Sequence, residues 1–153
     1  MISIAPVGNV VNPIDDIDHL DYHHIISEIH LNELFTEDSL KEIEHFSHLE
    51  VVFFFHKTGK QDRVFEIKKP LRQEDGFPHV GIFASRTNDR PSRIGQTIVK
   101  LEKVEGKTLF VKGLDTVNGT PIIDIKPLIR ELLPHPNEIS QPPWARDLMK
   151  NYK

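Results

Sequence analysis

The chain has 153 residues, a formal charge of −4 and no cysteine. That length suits one domain with a core of its own. The composition excludes disulfides, thiolate metal sites and a cysteine nucleophile, and fits a reducing compartment. The acidic balance argues against strong non-specific affinity for nucleic acid, although a local basic patch is compatible with it.

Residues 1–6 show neither a basic stretch nor an apolar run of the kind that opens a secretory signal. The longest apolar stretch, 49–55, is interrupted by Glu50 and too short to span a bilayer, so a cytoplasmic protein is expected. Residues 4–11 contain Pro6 and Gly8 and read as an edge strand. Asn12-Pro13 and the acidic residues up to Asp21 read as a loop. Residues 25–31 alternate, with Ile25, Ser27, Ile29 and Leu31 on one face, which predicts a strand. The spacing of Leu40, Ile43 and Phe46 predicts a helix over 36–45, with Thr36 and Ser39 as candidate caps. Residues 49–57 give the strongest strand signal. The unbroken run from Val51 to Phe55 predicts burial on both faces.

Thr58-Gly59 reads as a turn, 63–67 and 80–85 as strands, and 70–78 and 87–94 as loops. Residues 96–104 alternate. Glu105-Gly106-Lys107 reads as a hairpin turn, and 108–113 as the returning strand. Residues 115–120 form a second polar turn, 121–125 a short apolar segment and 127–133 one turn of helix. From Pro134 onward the chain is rich in proline and polar residues and reads as a surface tail. Trp144, the lone tryptophan, either caps the core or meets a partner. Short, closely spaced strands with few helices predict a mainly β fold, an antiparallel barrel or sandwich. No glycine-rich fingerprint follows a strand, so a Rossmann sheet has no support.

Two polar loops carry the candidate chemistry. The first is Gly81-Ile-Phe-Ala-Ser-Arg-Thr-Asn-Asp-Arg-Pro-Ser-Arg-Ile-Gly95, with Arg86, Arg90 and Arg93 within eight residues. Guanidinium forks suit carboxylates and phosphates. The bland alternative is a network braced by Asp89 and nearby acids. The second is Gly113-Leu-Asp-Thr-Val-Asn-Gly-Thr-Pro-Ile-Ile-Asp-Ile-Lys-Pro127. Its Asn118-Gly119 suits a tight turn whose backbone groups either hold a ligand or simply reverse the chain. Histidines compete for attention: His19, His23 and His24 lie close together, as do His45 and His48. They sit in a loop and at a helix end, without the rigid carboxylate partners a metal centre uses, and no metal site is expected.

These loops resemble the pattern of the TsaA-like domain family. The first is similar to its Gly-Val-Phe-Ala-(Thr/Ser)-Arg, three residues, then Arg-Pro-Asn-Pro-Ile-Gly. The second is similar to its Asp-x-x-Asp-Gly-Thr-Pro-x-x-Asp-Ile-Lys-Pro-Tyr. Smaller matches fall at Pro6-Val-Gly8, Ile29-His-Leu31 and Phe46-Ser-His-Leu49 leading into Phe53-Phe-Phe-His56, in the family's order over residues 4–130.

The resemblance implies a small antiparallel β-barrel with one or two short helices over residues 1–133, with 134–153 packed on it as a tail. It implies S-adenosyl-L-methionine as cofactor, a homodimer, and methylation of N6 of threonylcarbamoyl-adenosine next to the anticodon of tRNA. Cofactor contacts would fall on His56, Lys57, Arg86, Gln96, Asn118, Gly119, Thr120 and Pro121. Substrate contacts would fall on Arg90, Arg93 and Lys126, with Arg90 leaning towards a brace and Arg93 towards the substrate. Asp115 and Asp124 are candidates to accept the proton that the nucleophile must lose.

The chain departs from the family in four places. Ile17-Asp-His-Leu-Asp-Tyr-His-His24 stands in place of a Pro-Arg-Gln segment, Ser92-Arg93 in place of Asn-Pro, Asn118 in place of Asp, and Leu128 in place of Tyr. Two alternatives follow: a methyltransferase of the same fold acting on a small molecule, or a non-catalytic module that binds cofactor or tRNA.

Overall fold

Alternating side chains decide the architecture. The computed structural model describes residues 1–16, 21–58 and 77–150. In it six strands run antiparallel: β1 (Gly8–Val11), β2 (Ile26–Leu31), β3 (His48–Phe54), β4 (Ile94–Glu105), β5 (Thr108–Lys112) and β6 (Pro121–Pro127). They close into a barrel in the order β1-β2-β5-β4-β3-β6. Closure divides each strand between an inside and an outside. Val10, Ile29, Leu49, Val51, Phe53, Val99, Leu109, Val111 and Ile122 fill the interior. The expected burial of β3 on both faces is therefore wrong: Val51 and Phe53 are buried, while Val52 and Phe54 stay partly exposed on the outer wall. β1 is not an edge strand either, since it pairs with both β2 and β6.

The described chain divides into two compact units. Met1–Lys57 and Arg93–Leu128 form the barrel unit, and Thr58–Ser92 with Ile129–Lys153 form the second. The helix expected over 36–45 resolves into two 3-10 turns, Glu37–Leu40 and Ile43–His45. Glu42, at a φ of 71°, stands between them and would interrupt any continuous helix. In the second unit, Ile82–Ala84 forms a 3-10 turn where a strand was expected. The tail carries one short helix, α1 (Pro143–Leu148), in which Trp144 is half-buried. The strand expected over 63–67 lies outside the described residues. Among the described residues, no helix is long and apolar enough to cross a membrane.

Two glycines let backbone and rings approach. A Cβ on Gly8 would lie 2.3 Å from the carbonyl oxygen of His30, so only glycine lets β1 sit against β2 at that point. A Cβ on Gly95 would lie 2.4 Å from the Phe53 ring and 2.8 Å from that of Phe55. These rings meet edge to face at 5.3 Å inside the barrel mouth. Gly95→Ala is expected to destabilise the fold by about 1–3 kcal/mol through overpacking. Urea unfolding of the variant checks this, and Phe53→Leu in the same chain should recover part of the loss.

Candidate functional site at one rim of the barrel

In a fully antiparallel barrel, the C-terminal ends of odd strands and the N-terminal ends of even strands share one rim. Asn12, His56, Lys57, Arg93, Asp115 and the turn from Asn118 to Pro121 therefore gather at the same end, although more than a hundred residues of sequence separate the first from the last. Gln96 and Asp124 sit lower on the outer wall. Both are register partners of Val52, one on each side of β3. Lys126 is lower still, opposite Glu50.

The residue that organises this rim is Asn12, for which the sequence predicts no more than a loop position. Its buried side chain accepts the Ile14 amide at 3.1 Å and donates to Ser27 Oγ and the Thr116 carbonyl, both at 3.0 Å. Its own amide donates to Asn118 Oδ1 at 3.3 Å. One asparagine thus ties the first loop, β2 and the 113–120 loop together. An asparagine directly after a strand and before proline is a signal for such a side-chain-to-backbone turn, but not for its long-range partners. A small cluster of Ile14, Tyr22 and Val117 packs the first loop on the second motif loop. Tyr22, within the segment that departs from the family pattern, thus packs on the second motif loop.

The backbone amides of the turn are already engaged. The amide of Asn118 donates to Ile14 O at 2.6 Å, that of Gly119 to Val10 O at 2.8 Å and that of Thr120 to Val117 O at 3.2 Å. Thr120 is buried, and its hydroxyl also donates to Val117 O at 2.7 Å. Gly119 takes a φ of 77°, which its lack of a side chain permits. What the turn can offer a ligand is carbonyl oxygen, which suits donor groups such as an amine, and the exposed side-chain amide of Asn118.

His56 lies just past the end of β3. Its Nδ1 is buried and makes no hydrogen bond among the described residues. A buried polar atom without a partner is costly and marks a position where a ligand group would be welcome. Burial, and secondarily the Lys57 ammonium, hold its pKa below the ordinary 6.5, so the ring is neutral at physiological pH. Lys57 Nζ donates to Asp15 O at 2.7 Å and ties the end of β3 to the first loop.

Arg93 stacks its guanidinium over the Phe54 ring at 4.5 Å. Its carbonyl accepts the Phe55 amide at 2.8 Å. Its φ of 53° is closed to proline, so the family's proline could not occupy this backbone.

The two carboxylates differ. Asp124 pairs with the Lys126 ammonium and accepts the Ile125 amide. Asp115 reaches solvent by area, yet enough protein surrounds it that burial raises its pKa, with nearby His23 opposing the rise. Among the described residues, no three His, Asp or Glu side chains converge as metal ligands. His45 faces Glu42 and Glu44, and His19 lies outside the described residues.

Arg86 and Arg90 belong to the second unit. Arg90 braces its loop through backbone: Nη1 donates to the carbonyls of Ser85 at 2.6 Å and Ile82 at 3.4 Å. Arg86 is exposed.

The sequence profile of the tRNA-methyltransferase O N-terminal domain matches residues 17–132. The chain belongs to that family. Among its relatives, a human protein named tRNA (adenine(37)-N6)-methyltransferase is 40% identical over 115 residues, covering 75% of this chain and 25% of the relative. A probable S-adenosyl-L-methionine-binding protein of Archaeoglobus fulgidus is 32% identical over 130 residues, covering 83% of this chain and 34% of the relative. The crystal structure of TrmO from Pseudomonas aeruginosa superposes with a TM-score of 0.67 at 26% identity, covering 93% of this chain and 64% of that one. The chain thus spans about a quarter to a third of those two curated relatives. The small antiparallel barrel expected from the resemblance is the observed fold.

Proposed function

We propose that this chain is an S-adenosyl-L-methionine-dependent methyltransferase acting on N6 of threonylcarbamoyl-adenosine at position 37 of tRNA. The observation that carries this reading is the family match over 17–132, which includes both motif loops. The human relative's name supports the reaction, and the archaeal relative's name supports the cofactor.

The rim fits that cofactor. When bound, S-adenosyl-L-methionine supplies a methyl group on an electrophilic sulfonium. His56, neutral and with its Nδ1 unmatched among the described residues, accepts or donates one hydrogen bond without adding charge beside a cation. The Asn118–Gly119 carbonyls would receive an amine, with Lys57, Thr120 and Pro121 beside them at the rim and Gln96 below it on the outer wall. Arg93, Lys126 and Arg90 face or brace the substrate. Asp115, with a raised pKa, takes the proton that the urea-like N6 must lose. The Asp124 carboxylate is engaged by Lys126 and the Ile125 amide, which makes it the weaker candidate. A homodimer in a reducing, cytoplasmic setting completes the reading. Ile98, 48% exposed on the outer wall, and the partly exposed Phe54 offer apolar area to a second copy.

The deciding experiment incubates the chain with methyl-labelled cofactor and bulk tRNA, then analyses nucleosides. Label in methylated threonylcarbamoyl-adenosine is expected. No label in tRNA would overturn the reading and favour a small-molecule acceptor. Cofactor affinity should also fall as pH drops below about 6.5, because protonating His56 places a cation beside the sulfonium. The sign follows from the lowered pKa: the ring is neutral at pH 7.5 and charges only on the acid side. Calorimetry at pH 5.5 and 7.5 checks this. The loss should shrink for the uncharged thioether S-adenosylhomocysteine and vanish in His56→Asn.

A further inference from the structure

The 3-10 turn Ile82–Ala84 holds a phenylalanine in water. Three residues per turn send consecutive side chains about 120° apart. Ile82 points inward and is buried, so Phe83 points outward and is 83% exposed. The turn is held in place. The Ala84 amide donates to Gly81 O at 2.9 Å, the Ser85 hydroxyl to Ile82 O at 3.0 Å, and Arg90 clamps the carbonyls of Ser85 and Ile82. Gly81, Ala84 and Arg86 around it are exposed as well. A single ring among polar and small neighbours is far smaller than the core of a protein–protein interface, which takes about 800 Å² from each partner. It has the size and flatness of a nucleobase face. Aromatic rings and guanidinium planes are the surfaces on which unpaired bases stack.

We propose that Phe83 is a stacking platform for an unpaired base of the RNA substrate, with Arg90 as the positioning residue that fixes its turn. The proposal rests on the reading that the chain acts on tRNA. It adds a contact absent from the candidate substrate residues Arg90, Arg93 and Lys126. The ring reads the π-face rather than the base edges, so the contact favours an open loop over a duplex and tolerates any base.

The test uses the full chain and three substitutions: Phe83→Leu, Phe83→Ala and Phe83→Trp. An anticodon stem–loop oligonucleotide and a fully paired duplex of equal length are the probes, measured by fluorescence anisotropy at one salt concentration. Leu and Ala are expected to weaken stem–loop binding by roughly 5- to 100-fold, in line with the loss of one stacked base. Trp should stay within about two-fold of the parent chain, and duplex binding should be unchanged in all three. Melting temperature and cofactor affinity should not move, because the ring is exposed to solvent.

Leu binding as tightly as Phe would overturn the proposal while leaving tRNA methylation intact. Equal losses for loop and duplex would overturn it too, as would a loss of cofactor affinity or a change in molecular mass by light scattering. A parent chain that neither binds nor methylates tRNA would overturn the functional reading, and the platform with it.

Discussion

Asp115→Asn is expected to lower kcat on tRNA by roughly 10²- to 10⁴-fold, the range for losing a positioned general base. Burial raises the Asp115 pKa from its ordinary 3.8, and a more basic carboxylate is a better proton acceptor. The rate should therefore rise with pH through that elevated value in the parent chain, and this limb should disappear in the variant. Stability should respond in the opposite sense. An acid with a raised folded-state pKa holds its proton more tightly when folded. Its ionised form costs stability once pH climbs through that value. The neutral amide carries no such cost, so the melting temperature at pH 7 should hold or rise. Steady-state kinetics on threonylcarbamoylated tRNA, paired with thermal unfolding, separates the cases. An unchanged kcat, or a kcat loss matched by unfolding, would remove Asp115 from the chemistry.

The second large effect is expected at Asn12. Asn12→Ala strips partners from the Ile14 amide, Ser27 Oγ and the Thr116 carbonyl together. Leaving such groups unsatisfied in a buried site should cost roughly 2–4 kcal/mol, a large share of the stability of a domain this size. Asn118→Ala removes only the acceptor of the Asn12 amide, at 3.3 Å, and should cost about 1 kcal/mol or less. Urea unfolding of both variants gives the comparison. Because Asn12 also holds the 113–120 loop against the first loop, cofactor affinity should fall for Asn12→Ala under conditions where the variant is folded. Equal stability losses for the two variants, or unaltered affinity in the folded Asn12→Ala protein, would contradict this bracing role.

How much of this was legible depended on whether the signal was local. The Glu105-Gly106-Lys107 hairpin was, because a glycine at a φ of 57° between alternating strands is a local requirement. The β2 alternation was too, including buried Ser27, although its partner Asn12 was not. The Phe-rich run of β3 misled because aromatic residues suit either wall of a barrel, and only its pairing with β4 and β6 shows which side each ring takes. Residues 36–45 misled because Leu40, Ile43 and Phe46 at three-residue spacing fit successive 3-10 turns as well as a helix. The rim could not be read from spacing at all. It exists only because antiparallel closure returns the chain to one end on every second crossing, and motif resemblance marked its residues without supplying Asn12.

Closure has a kinetic corollary. The seam between β1 and β6 has two register positions, Gly8 with Ile122 and Asn9 with Pro121, flanked by backbone hydrogen bonds from Val7 to Ile122, from Val10 to Thr120 and from Gly119 to Val10, whereas β3 and β4 share seven register positions. Zipping that seam joins segments more than a hundred residues apart, after a long loop has lost its freedom. The β4–β5 hairpin and its pairing with β3 can form earlier from nearer segments, leaving the seam as the late step of folding. Once formed, the shorter ladder is expected to open before the longer one, and amide exchange at Gly8 faster than in the β3–β4 ladder would show it. The seam runs up to the 118–121 turn, so a ligand held by that turn would fasten the barrel shut and slow its unfolding.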